Sequence, residues 1–152
     1  MKAQVLRNRR RSALALPKFW RPKITTGQML DARIVHNDLV DRLAHGTATV
    51  GDLWDSMETG FTYSQMMRLL HADGVAFTVE AENAIVLQLD SYEGICERLR
   101  RTGKVGLSGP ELVIAKAASA VMDELIALDR HGIAVRAAEW SEQQMARLRG
   151  GI

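Results

Sequence analysis

The residues of this 152-residue chain that could do chemistry are four histidines, one cysteine and scattered serines and carboxylates. His36, His45, His71 and His131 show no zinc spacing and no HExxH. Asp31, Asp38, Asp41 and His45 fall on one side of a helix, with the donor types of an oxygen-ligand metal site. Such sites converge from several elements or a tight loop, so these residues read as a solvated acidic face and no metal is expected. Cys96 is alone, which excludes an intrachain disulfide and fits a reducing cytosol. It sits on an apolar seam and reads as a small buried hydrophobe. "GKVGLSG" (103–109) lacks the GxxxxGK[ST] spacing and a preceding strand, so it reads as a turn. Ser108 is not in a G-x-S-x-G setting and has a better use as a helix cap. No catalytic constellation and no cofactor site survive, and the chain reads as a non-enzyme.

The elements that would position these residues are helical. Thr25 or Thr26 can cap a first helix that runs to about Ala44 and stops at Gly46. Met29, Ala32, His36, Leu39 and Leu43 repeat along it at spacings of 3, 4, 3, 4, a narrow packing seam. His36 interrupts that apolar seam and reads as a packed histidine with one satisfied hydrogen bond, the sharper alternative being a pH-sensitive contact. Two short helices, 49–57 and 64–71, follow around a joint at "GFTYS" and have the outline of a helix-turn-helix. The second has a thin reading set of Gln65, Arg68 and His71, so Met66, Met67, Leu69 and Leu70 are expected to serve the core.

The next helix, about Thr78 to Arg101, carries Ile85, Leu89, Tyr92, Cys96 and Leu99 at 4, 3, 4, 3, with Gly94 marking a bend or a close approach. Ser108 to Glu111 forms a capping box, with Pro110 in the first turn of a helix reaching about His131. Its seam is Ile114, Ala118, Val121, Leu125 and Leu128, and the short connection predicts an antiparallel αα-hairpin. A last stretch, 133–148, carries Ala137, Trp140, Met145 and Leu148, with Ser141 able to restart a helix. "GVAFTV" is the one strand candidate. The expected fold is all-α, a helical bundle containing that hairpin, with residues 1–23 as a basic arm and 24–152 as the helical domain.

Charge is distributed unevenly. Residues 1–23 hold Lys2, Arg7, Arg9, Arg10, Arg11, Lys18, Arg21 and Lys23 with no Asp or Glu, a charge of +8, while the remainder carries −6. Blocks of like charge act as interaction arms, and a polyanion is their natural partner. The apolar stretch 13–16 spans four residues before Pro17 and Lys18, short of the roughly 7–15 of a signal h-region. An acid-free, Arg-rich segment also has transit-peptide composition, but the arm is read as part of the working protein, in the cytoplasm. No apolar run reaches the ~18–20 residues of a membrane span.

At "RRTGKVGLSGPELVIAKAASAVMDELI" (100–126) the chain resembles a group of small uncharacterised helical proteins of proteobacterial prophages and plasmids. The matching residues are Arg101, Thr102, Gly103, Ser108, Gly109, Pro110 and Glu111, together with the basic "RPK" at 21–23. The resemblance implies a helical accessory protein of a mobile element and supplies no activity or site residue.

The functional expectation is therefore a binding protein whose arm holds DNA or RNA through phosphate contacts. The candidate nucleic-acid-binding residues are Arg7, Arg9, Arg10, Arg11, Lys18, Phe19, Trp20, Arg21 and Lys23. Phe19 and Trp20 could stack on bases or wedge a groove. The alternative is a protein–protein inhibitor or adaptor acting through helical and charged surfaces, with spare seams closing a homodimer. Membrane-surface attachment through Leu14, Leu16, Phe19 and Trp20 is weakened by Pro17, which interrupts any long amphipathic helix there.

Overall fold

The computed structural model describes residues 17, 18, 21 and 23–150. These form five α-helices and, among the described residues, no strand: α1 (Thr26–His45), α2 (Val50–Ala72), α3 (Val79–Thr102), α4 (Gly109–Ala127) and α5 (Ile133–Gly150). Four of the starts are chemically marked. Thr25, Thr49, Thr78 and Ser108 each accept from a backbone N–H of the first turn. At α1, α2 and α4 the third residue (Gln28, Asp52, Glu111) returns the bond to the cap. Gly46 and Gly103 end α1 and α3 in the left-handed conformation, which a side chain disfavours.

The order of contacts gives the directions. Arg33 meets Asp123 and His36 meets Ser119, so α1 and α4 run oppositely. Arg149 lies over Trp54, Trp140 packs edge-on to Phe61, and Ser141 touches Thr62, so α2 and α5 do the same. The main core gathers Tyr63, Met66 and Leu70 of α2, Met122 and Leu125 of α4 and Ala137 of α5. A smaller cluster of Leu53, Tyr92 and Ile95 receives half-buried Cys96 and Leu99.

The structure corrects several expectations. Residues 49–57 and 64–71 are not a helix-turn-helix but parts of the unbroken α2. Gly60 is a close-approach point within it, since a Cβ there would lie 3.1 Å from Leu89 and 3.4 Å from the Tyr92 ring. Gln65 is buried and holds Arg68 at 3.0 Å, which removes it from any reading surface. The helix α4 ends at Ala127 rather than near His131, leaving Leu128 44% exposed instead of on the seam. No break occurs at Ser141, whose hydroxyl donates to the Ala138 carbonyl inside α5. "GVAFTV" forms no strand; Val75 and Phe77 pack on the core as a link between helices.

The buried line of α3 is Ile85, Gln88, Tyr92 and Ile95, with Leu89 and Cys96 at its margin. Gln88 enters because of a hydrogen-bond network. The Tyr92 hydroxyl donates to the Ser56 carbonyl (2.8 Å) and accepts from Gln88 Nε2 (2.9 Å), with Ser56 Oγ at 2.6 Å. One proton and two lone pairs are all used. Replacing Tyr92→Phe leaves these partners unsatisfied and should destabilise the fold by about 1–2 kcal/mol, read as a lower urea midpoint at unchanged slope.

His36 is the packed histidine of the seam. Ser119 Oγ donates to the Ala115 carbonyl, so His36 Nε2 must be the donor across the 2.8 Å contact between them. His36 Nδ1 is buried without a partner. Burial holds the ring below the usual imidazole value of 6.5, while the Asp123 carboxylate pulls the other way. Asp123, Arg33 and Tyr63 surround the site, and the Tyr63 hydroxyl is itself pushed up to about 12, chiefly by burial. The unfolded ring then takes a proton more readily than the folded one, so stability must fall as pH drops below 6.5. A His36→Gln chain keeps a donor for Ser119 and cannot titrate. Between pH 7.5 and 5.5 it should lose less stability than the wild type in denaturant titrations; equal losses would remove His36 from the account.

Candidate nucleic-acid interface

The described part of the basic arm lies against one end of the bundle, over the α2–α3 and α4–α5 turns. The α4–α5 turn is built around Asp129, which is 2% exposed. Its Oδ1 accepts from the Ala134 N–H in the first turn of α5 (2.8 Å), and its Oδ2 from the Ile24 N–H (2.8 Å). A carboxylate at a helix N-terminus also complements the helix dipole. One buried side chain thus ties the end of the arm to the start of α5. Lys23 Nζ donates to the Ala127 carbonyl at the C-terminus of α4 (3.2 Å), where a cation is favoured.

Arg21 crosses the turn at Gly132, whose φ of +69° follows His131 at +54°. A Cβ on Gly132 would lie 3.1 Å from Arg21 Cβ and Cδ, so the glycine gives the arginine stem its seat. Further back, Lys18 Nζ donates to Asp73 Oδ1 at 2.6 Å. Arg130 approaches Asp73 Oδ2 at 2.9 Å and also donates to the Asp73 carbonyl. The Lys18 hydrogen bond is the largest influence holding the Asp73 carboxyl below the usual range, with the charges of Lys18, Arg130 and His131 assisting.

Beside this clasp an open groove of about 270 Å³ is lined by Arg21, Arg136, Glu139, Trp140 and Gln143. The four α5 residues sit at i, i+3, i+4 and i+7, one stripe of the helix. Trp140 is braced by Phe61, with ring centroids 6.3 Å apart.

Of the residues expected to bind nucleic acid, Lys18, Arg21 and Lys23 are described and brought together here. Arg7, Arg9, Arg10, Arg11, Phe19 and Trp20 lie outside the described residues. Sequence reasoning missed Asp73, Asp129, Arg130 and Arg136. The α4 pattern was extended over Asp129, and only the folded chain places Asp73 against an arm 55 residues away. The acidic face of α1 is confirmed as exposed, with Asp38 paired to Arg42 at 3.3 Å. Among the described residues no three His, Cys, Asp or Glu side chains come together to hold a metal. No described helix is long and apolar enough to cross a membrane.

The described residues define a class, an all-helical bundle of five helices. No family model, curated protein or solved structure matches the chain.

Replacing Asp129→Ala strands the Ile24 and Ala134 N–H groups and should cost about 2–4 kcal/mol. With the two chains brought to equal global stability by added urea, trypsin should then cleave after Lys18 and Lys23 faster than in a Tyr92→Phe chain. Equal cleavage at matched stability would show that Asp129 does not anchor the arm.

Proposed function

We propose that this chain is a non-enzymatic binding protein whose basic arm holds nucleic acid, in the role of a cytoplasmic accessory factor of a mobile element. The observation that carries the reading is the placement of the arm's root. Lys18, Arg21 and Lys23 lie beside Arg130, His131 and Arg136, so the arm's charge continues onto the body instead of ending at a linker. These cations, interleaved with Asp73 and Glu139, are the groups on the body that phosphates would meet, and binding of this kind weakens steeply with salt. Within the bundle, α3 and α4 are proposed to pair as an antiparallel hairpin. Their joint is locked by the bidentate Arg98–Glu111 pair, at 2.9 and 2.7 Å.

A second reading, a protein–protein inhibitor or adaptor, is favoured by the outer face of α1. Leu30, Ile34 and Val35 are exposed there beside Asp31, Asp38 and Asp41. A basic, apolar protein surface would complement it, and a second copy of the chain making a homodimer is the other occupant in keeping with the spare seams.

Anisotropy of labelled DNA and RNA between about 50 and 300 mM salt separates the readings. Arg9→Ala, Arg10→Ala and Arg11→Ala together, or a chain beginning at Pro17, should weaken binding about tenfold or more and flatten the salt dependence. Unchanged affinity would remove the arm from the interface. Absence of binding at low salt would leave the protein-partner reading.

A further inference from the structure

We propose that the groove between Arg21 and α5 is a nucleotide subsite that takes one unpaired base and its phosphate from a bound single strand. This rests on the nucleic-acid reading above. Arg136 supplies a guanidinium whose fork of donors matches phosphate oxygens, and Arg21 lines the opposite side of the groove. Glu139 adds one carboxylate to the lining. Trp140 lines the groove with an aromatic ring of the kind on which bases stack, and Phe61 packs against that ring in a T-shaped contact. The Gln143 amide and Glu139 carboxylate give the donor and acceptor groups that read a base edge.

The groove is open to solvent, so the chemistry of its lining and not its size points to the ligand. A base within a duplex has both faces covered by its neighbours, so an indole can reach it only in an unpaired strand. Position supports the same conclusion. Arg21 is seated by its stem on Gly132, so the groove joins a cation of the arm to the stripe of α5.

The test uses the full chain and labelled oligo-dT, oligo-U and a duplex of equal length. Arg136→Gln should weaken single-strand binding about fivefold or more and reduce the magnitude of the salt slope by about 1. Because Arg136 forms no part of the core, thermal melting of the variant should match the wild type. In a Trp20→Phe, Trp54→Phe chain, where Trp140 is the remaining tryptophan, either strand should quench the indole emission. Single-strand binding that ignores Arg136→Gln and leaves Trp140 unquenched overturns the subsite while the arm reading stands. Preference for the duplex overturns it too. Failure to bind any of the three ligands overturns the nucleic-acid reading and the subsite together.

Discussion

The arrangement depends first on Asp129. Burying a carboxylate costs several kcal/mol unless hydrogen bonds and local dipoles compensate it, and here the Ala134 and Ile24 N–H groups do so. The compensation is also a geometric constraint. Ile24 is fixed at the turn between α4 and α5, and three described residues before it make contacts of their own. Lys23 reaches the last carbonyl of α4, Arg21 lies on Gly132, and Lys18 reaches Asp73 at the end of α2. A side chain with no chemistry of its own thus sets where the basic arm leaves the bundle.

The helix α2 is the second constraint, because α1, α3, α4 and α5 all touch it. A central helix needs different surfaces on different sides. Toward α3 it presents Ser56 and Gly60, which let the Tyr92 hydroxyl and ring approach closely. Toward α5 it presents Phe61 and Thr62, and toward the main core Met66 and Leu70. An apolar pattern spread over several faces has little net direction. That is why a periodicity argument breaks the segment into two short helices at Gly60, although the backbone there remains helical.

What could be read from the sequence divides along the same line. Thr25, the Ser108–Glu111 box and the glycine stop at 46 were legible because a cap is decided by residues within one turn of each other. The apolar seam of α1 was legible because one face of that helix is buried. Gln88 was not, since its burial depends on a tyrosine hydroxyl shared with Ser56 of another helix. Ser141 was taken for a helix start because local chemistry allows one, whereas its hydroxyl satisfies itself on Ala138 within a continuous helix. Of the candidate site, the cations were visible as composition. Their acidic and aromatic companions, Asp73 and Trp140, were visible only as unrelated residues far along the chain.

The clasp also bears on how an arm can be both held to an acidic body and available to a polyanion. Lys18 and Asp73 form a pair at the surface, with the lysine side chain 44% exposed. Such pairs contribute little in water and are screened by salt, so on the proposed function Lys18 is the contact a phosphate would compete for. Losing Lys18 would not strand Asp73, because Arg130 still lies against the other carboxylate oxygen. The Asp129 bond to Ile24 is different in kind, since the acceptor is a carboxylate only 2% exposed that also holds the Ala134 N–H. Lys18 therefore makes a contact that salt weakens, whereas the bond at Ile24, made to a buried carboxylate, is little affected by salt.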